Sequence, residues 1–439
     1  MSLLLDSNKT VVIKLGSQVV SKLITDRQSV FWQQLQLPYD KGYQPVIVCS
    51  GAVALGWQVF QSMASNKAKL PSKSIRFEKA QLQKHSFQKE QFQTEPKQTA
   101  KHQSYPVANK TMLASIGQGE LINMWRNGLG RPVAQILVEQ AHFNERHCYN
   151  DLSATFRQLL KHDVVPIINQ NDALAEANSL ISNNDRLAAY VVNMLEAKWL
   201  FMVSEVGGIY RDYPTCQQLV SVFEVKEPDS EYLYEDVISS DCSAMGTGGM
   251  REKLDAALLA AKQGAQCFIC DEKAPFLHII ESRATCGTYI RYSSQPVKRI
   301  KHWLLNTAES KGLIIIDSGA AIALRHRNAS LLMSGIVGVA GTFSKQAIVE
   351  VKEQGTGEII AKGMARLNSN QILINLALRQ NQASNSQFIP SNIVPDYPLH
   401  LASGRVVDKI EHNDIQEHTD NSFIKGSTIV LHRNQCALL

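Results

Sequence analysis

Val11-Val12-Ile13-Lys14-Leu15-Gly16-Ser17 reads as a β-branched, buried strand that carries a lysine near its end and runs into a turn of small residues. In an α/β sheet such a strand end leaves backbone N–H groups facing a ligand. Its counterpart lies almost 240 residues on, at Gly246-Thr247-Gly248-Gly249-Met250-Arg251-Glu252-Lys253. There a glycine-rich loop opens a helix, whose free N–H groups and positive dipole end attract phosphate. Each motif also supplies a mobile point charge, Lys14 or Lys253. Neither has the glycine spacing and Lys-Ser/Thr pair of a Walker loop. Taken singly, either could be a strand-end lysine reaching to water beside ordinary turn glycines. Together they describe a phosphate site.

Working outward, apolar strands alternate with helical patterns over the first 290 residues. Strands are expected at Val11–Leu15, Pro45–Cys49, Pro132–Val138, Val164–Asn169, Trp199–Ser204 and Gln266–Cys270. Between them Asp151–Lys161, Arg186–Ala197 and Arg251–Gln263 carry helical patterns. Strand–helix alternation means βαβ units and a mainly parallel sheet covered by helices. Ligands gather beyond the carboxyl ends of such strands. Here those ends read Lys14-Leu15-Gly16-Ser17, Ser50-Gly51-Ala52, Asn169-Gln170-Asn171-Asp172 and Ser204-Glu205, all rich in polar or tiny residues.

These strand ends, the Asn184-Asp185 pair and Gly246–Lys253 resemble the amino-acid kinase family, and within it the members that phosphorylate glutamate. Cys49-Ser50-Gly51-Ala52-Val53-Ala54-Leu55-Gly56, Ile116-Gly117-Gln118, Pro166-Ile167-Ile168-Asn169 and Gly207-Gly208-Ile209-Tyr210 extend the likeness. It covers about residues 9–60 and 108–290 and resumes from 312, with many ordered motifs in one register. The resemblance implies a three-layer αβα sandwich and transfer of the ATP γ-phosphoryl group to the γ-carboxylate of L-glutamate, the first step of proline biosynthesis. It assigns Lys14 and Lys253 to the transferring phosphoryl group, with Asp185 holding both ammonium groups. A helix N-cap is the competing role for Asp185. The nucleotide side falls to Lys14, Gly16, Ser204, Glu205, Gly246, Thr247, Gly248, Gly249, Met250 and Lys253. The glutamate side falls to Ser50, Gly51, Ala52, Asp172 and Asn184, although an ST-turn and an Asx-turn would also account for Ser50 and Asp172. Magnesium is expected on the nucleotide phosphates, held by phosphate and water and not by a protein cage. The resemblance further implies a homo-oligomer and feedback inhibition by proline.

Departures from the family pattern cluster at the substrate end. Gln170 and Asn183 stand where the family carries carboxylates, Ser182 where it has glycine, Leu180 where it has lysine, and Glu205 where it has aspartate. Losing a charge partner for an ammonium group in a desolvated site costs on the order of 1–3 kcal/mol. Weaker glutamate binding or altered proline inhibition is the expected result. Two other readings compete: a weakened relic that binds RNA or regulates, and a kinase for another acidic substrate.

Composition bounds the rest. At 439 residues, with 44% hydrophobic and 19% charged residues, the chain has globular values and room for two or three domains. Its net charge of +5 is local, because residues 66–103 hold nine lysines and arginines against three glutamates. That segment belongs to an insertion at about 64–106, Gln-rich with interspersed Phe77, Phe87 and Phe92, which reads as a solvated surface loop more than a nucleic-acid binder. No stretch has the length of a signal peptide core or a membrane span, so a cytosolic protein with reduced thiols is expected. Cys267-Phe268-Ile269-Cys270 lies in a strand, where residues three apart face opposite ways, so it is read as buried thiols and not as a metal site.

A kinase domain is therefore expected over 1–290, a linker over 291–311, and a second module over 312–434 with an insertion at about 381–425, followed by a tail, 435–439. Leu313–Ala320, Ser330–Leu332, Gly335–Val339 and Gly341–Phe343 read as short strands of a small β-barrel that resembles a PUA domain. RNA binding there is the weaker reading, since Arg325-His326-Arg327 stands alone as a solvated turn. Glu411, His412, Asp414, Glu417, His418 and Asp420 lack zinc spacing.

Overall fold

The computed structural model describes residues 9–26, 28–66, 107–174, 184–211, 217–225, 249–282, 286–292, 296–327, 329–383 and 428–439. Both insertions fall almost wholly outside these residues, as do Gly246, Thr247, Gly248, Leu180, Ser182 and Asn183.

In chain order the first part forms β1 (Thr10–Leu15), α1 (Ser17–Thr25), α2 (Val30–Asp40), β2 (Gln44–Cys49), α3 (Ala52–Asn66), α4 (Val107–Leu129), β3 (Val133–Val138) and the single turn α5 (Ala141–Asn144). It continues with α6 (Arg146–Lys161), β4 (Val165–Gln170), α7 (Asn184–Leu195), β5 (Trp199–Val203), β6 (Val222–Val225), α8 (Met250–Ala261), β7 (Gln266–Cys270), α9 (Phe276–Ser282) and β8 (Thr288–Tyr292). The eight strands make one sheet, ordered β3-β4-β2-β1-β5-β7-β8-β6. The strand pairs from β3 across to β7 are parallel, and β8 runs against β7.

Strand periodicity sorts the core into two layers. Val11, Ile13 and Leu15 join one buried cluster together with residues of α1, α2, α4 and α9. Val12 joins the other, with residues of α6, α7 and α8. The same alternation separates Cys267 from Cys270, each buried and free, one in either cluster. Burial pushes both thiols up, as expected of core cysteines.

On one face α3 and α4 touch backbone to backbone. A Cβ at Gly117 would come within 1.8 Å of the Ala52 carbonyl oxygen, and one at Gly56 equally close to that of Leu113. The pairings 52 with 117 and 56 with 113 make the two helices antiparallel. α3 therefore ends, and α4 begins, at one tip of a helical hairpin.

The stretch expected to be a linker, 291–311, instead holds a packed helix, α10 (Arg299–Asn306). Its Trp303 is buried in the same cluster as α7 and donates from Nε1 to the Phe143 carbonyl at 2.7 Å. An apolar ring and a satisfied indole N–H outweigh the polar look of the sequence around them.

Beyond α10 lie β9 (Leu313–Ile316), α11 (Ser318–Arg327), β10 (Leu331–Leu332), β11 (Ile336–Ala340), β12 (Ile348–Glu353), β13 (Ile359–Ala365), α12 (Ser369–Ala383) and β14 (Ile429–Leu438). The strands order as β10-β14-β13-β12-β9-β11. Its two edge strands, β10 and β11, are consecutive in the chain, joined by the 3-10 turn Met333–Gly335, so the sheet curls until its ends meet. Three expectations change here. The strand expected to reach Ala320 stops at Ile316, because Asp317 accepts from the Ala320 N–H and starts α11. Arg325-His326-Arg327 is the last turn of α11 and not a loop, and Arg325 is held by Glu353 and Glu358 at 3.0 and 2.6 Å. The expected tail is mostly strand, with Cys436, Ala437 and Leu438 paired to β13. Ile348, Met364 and Ala437 from this module share a buried cluster with α7 and Trp303, so the two modules have a continuous apolar seam.

Candidate active site

Lys14 sits one residue before the end of β1, and its side chain points to the Val12 face of the sheet. That is the face covered by α7 and α8. Both helices precede a parallel strand, so both begin at the carboxyl edge, where α7 brings Asp185 and α8 brings Lys253. The Lys14 ammonium forms a close ion pair with one carboxylate oxygen of Asp185, while the Lys253 ammonium lies 3.7 Å from the other. Lys14 and Asp185 are only 6% and 3% exposed at their side chains, and Lys253 is 14% exposed. Burial pushes the Lys14 pKa below the ordinary lysine value, the Asp185 carboxylate draws it back up, and Lys253 adds to the lowering. Asp185 is the second residue of α7, so it is not the N-cap that was the competing reading.

Around this triad the carboxyl edge collects helix N-termini. α1 and α8 start at Gly16 and Gly249, neither of which has a side-chain cap. Their first N–H groups are oriented for anions. α3 starts at Ala52, directly after Ser50 and Gly51. Gly51 has φ +111, a conformation open to glycine, and this turns the Ser50–Ala52 backbone toward the edge. Ser204 follows β5 and donates its N–H to the Cys270 carbonyl at 2.8 Å. Glu205 is a third exposed, and its carboxylate pairs with Lys22 of α1 at 2.8 Å. That hydrogen bond raises the Lys22 pKa.

At the β4 end, Asn184 donates from Nδ2 to Asn169 Oδ1 at 3.0 Å. Asn169 is 1% exposed, and its own Nδ2 has no partner among the described residues. A buried amide without a partner costs free energy unless a ligand satisfies it. Asp172, just beyond, is half-buried, and desolvation raises its carboxyl pKa, partly offset by Lys110. Asn169 and Glu139 were not among the expected site residues. Glu139 follows β3 and accepts from Asn171 Nδ2 at 2.8 Å, which places a carboxylate beside the strand end where Gln170 lacks one. Its sequence signal was an acidic residue directly after a predicted strand.

Lys14, Asp185, Lys253, Asn184, Asp172, Ser50, Gly51, Ala52, Gly16, Ser204, Glu205, Gly249 and Met250 thus all lie at one edge of one sheet. A parallel sheet here brings one buried and one partly buried lysine onto a single carboxylate, with uncapped helix ends beside them, and so gathers positive charge at one edge. Residues 9–271 match the amino acid kinase family and residues 312–375 match the PUA domain. The chain belongs to the amino acid kinase family. Its curated relatives include the glutamate 5-kinase of Idiomarina loihiensis, 32% identical over 274 residues that cover 62% of this chain and 74% of that one. The glutamate 5-kinase of Streptococcus suis is 30% identical over 384 residues, covering 84% of this chain and 95% of its own. That of Salinibacter ruber is 34% identical over 267 residues, covering 59% and 70%.

Proposed function

We propose that the chain catalyses ATP-dependent phosphorylation of the γ-carboxylate of L-glutamate to γ-glutamyl phosphate, the entry reaction of proline biosynthesis. The Lys14–Asp185–Lys253 triad carries this reading, because it places two positive charges where two anions must meet. A glutamate γ-carboxylate oxygen forms a bond to the γ-phosphorus as the bond to the β,γ-bridging oxygen breaks, and ADP leaves with the electron pair. Most of the barrier lies in bringing anions together and in charge on the transferring group. Lys14 approaches that group from β1 on the substrate side and Lys253 from α8 on the nucleotide side. Asp185 keeps both ammonium groups fixed, so little reorganisation is left for the reaction itself.

Ser50 and the first N–H groups of α3 suit a substrate carboxylate. Asp172 suits the α-ammonium group, since a bound cation restores to its desolvated carboxylate a strong charge partner. Asn169 and Asn184 offer further amide groups at the β4 end. Bound Mg2+ would add charge neutralisation on the nucleotide phosphates. Asp185 is already held by both lysines, so phosphate and water would hold the ion. Proline feedback at the β4–α7 loop and assembly into a homo-oligomer belong to the same reading. Among the described residues, no helix is long and apolar enough to cross a membrane.

The test is ATP- and Mg2+-dependent formation of γ-glutamyl hydroxamate from glutamate and hydroxylamine, with Lys253→Ala as control. Product in the parent and none in the variant supports the reading. No product at saturating glutamate, from protein shown to be folded, overturns it and calls for other carboxylate substrates.

A further inference from the structure

The first turn of α6 brings three different metal-binding groups together, apart from the phosphoryl-transfer residues. Glu145, His147 and Cys148 present carboxylate, imidazole and thiol atoms that all lie within 4.8 Å of one another. His147 Nε2 is 3.3 Å from Cys148 Sγ and 3.6 Å from Glu145 Oε2. A tetrahedral zinc ion, with bonds of about 2.3 Å to sulfur and about 2.0–2.1 Å to nitrogen and oxygen, holds its donors about 3.4–3.6 Å apart. The two pairs that share His147 already stand close to the edges of such a tetrahedron, and the third lies within 4.8 Å.

We propose that Glu145, His147 and Cys148 form a binding site for a borderline-soft divalent cation of the Zn2+ class, with water in the fourth position. Sulfur and imidazole donors select against Mg2+, so the site does not compete for the ion that travels with the nucleotide. On binding, the Cys148 thiol loses its proton to solvent and the imidazole binds as the neutral ring. Thiolate and carboxylate then balance the charge of the ion. Two anionic ligands at a helix N-terminus also match the sign of the helix dipole.

The local backbone prepares the set. Glu145 is the N-cap residue in extended conformation, and its side chain makes no capping bond, so the carboxylate is left to swing toward His147. Arg146, between the ligands, reaches away to Gln346 Oε1 at 3.0 Å and to Met364 Sδ at 2.8 Å in the second module. That anchor pins the turn. Glu145 also lines a cavity of about 560 Å³ at the seam between the modules, with Thr307, Glu309 and Lys362 on the far side. The carboxylate of the set thus lies beside the place where the two modules meet.

The experiment uses the full chain, reduced and stripped of metal, titrated with Co2+ and then Zn2+. One equivalent of Co2+ should produce a thiolate-to-cobalt charge-transfer band and tetrahedral d–d absorption, both removed by Zn2+. Cys148→Ser should abolish the charge-transfer band. His147→Ala and Glu145→Gln should each weaken Zn2+ binding at least tenfold. All three variants should keep hydroxamate activity in Mg2+ alone, which shows that they fold. Absence of a thiolate band in the parent overturns the site. So does a band of equal strength in Cys148→Ser, which would place the metal on another cysteine.

Discussion

Asp185→Asn isolates what the buried triad contributes. The substitution keeps size and hydrogen-bonding shape and removes one charge, leaving Lys14 at 6% side-chain exposure with no counter-ion at contact distance among the described residues. Breaking a buried pair by removing one partner costs about 3–5 kcal/mol. For a domain of this size that lowers the thermal midpoint by on the order of 10 °C. The pH dependence gives a sharper reading. The pKa of Lys14 is already lowered by burial, and Asp185 is the largest influence raising it, so the variant lowers it further. A lysine with a depressed folded-state pKa binds fewer protons folded than unfolded between that pKa and 10.5, so stability rises with pH across this window. The deficit of Asp185→Asn relative to the parent should thus be full below the variant's Lys14 pKa and shrink as pH climbs from there through the parent's own lowered value. Catalysis should fall with it. A lost charge-positioning group costs about 10²–10³ in kcat, with little change in the KM for ATP. Differential scanning fluorimetry from pH 6.5 to 9.5 and the hydroxamate assay measure the two effects. A variant within 2 °C of the parent at pH 7 and within threefold in kcat would show that Asp185 holds neither lysine.

Other perturbations probe the surroundings of the triad. Gly117→Ala sets a Cβ 1.8 Å from the Ala52 carbonyl, and such overpacking costs about 1–3 kcal/mol, so both a lower midpoint and a higher glutamate KM are expected from displacement of the α3 N-terminus. Glu139→Gln removes the charge that orders Asn171 beside Asp172, and glutamate KM should rise about tenfold with kcat nearly unchanged; an equal fall in kcat would instead make Glu139 part of the reaction centre. His302 is buried on α10, and burial lowers its pKa to about 4 from 6.5, so the folded state disfavours its protonated form. Stability should therefore fall by about 3 kcal/mol as pH drops from 6.5 through 4, and His302→Gln should flatten that part of the midpoint-against-pH curve.

The layer order of the kinase domain was legible from the chain alone because its strands are continuous apolar runs separated by helical periods. Val11–Leu15, Pro45–Cys49 and Gln266–Cys270 agree with the observed strands to within a residue. Strand periodicity even forecast that Cys267 and Cys270 part to opposite faces. The second module was less transparent. Gly319 and Ala320 lie just beyond the apolar run Leu313–Ile316, yet the Asp317 cap places them in a helix, and a single side-chain hydrogen bond is invisible to hydropathy. The 291–311 stretch looked like a linker because its polar residues dominate the count, whereas the burial of Trp303 depends on a neighbour 160 residues away.

The same division runs through the site. Lys14 and Lys253 were legible as phosphate-site residues from local chemistry, a strand end and a glycine loop, whereas Asp185 joined them only through the family resemblance. Their convergence on one carboxylate is decided by topology, since only the parallel order of β1, β5 and β7 and the shared face of α7 and α8 bring residues 14, 185 and 253 together. Glu139 beside Asn171 and the Glu145–His147–Cys148 cluster depend on side-chain direction and packing at the ends of elements. Local sequence sets which elements form, because backbone preference and periodicity are short-range. Which charges meet in the interior is settled by the tertiary fold, because desolvation and ion pairing act through space.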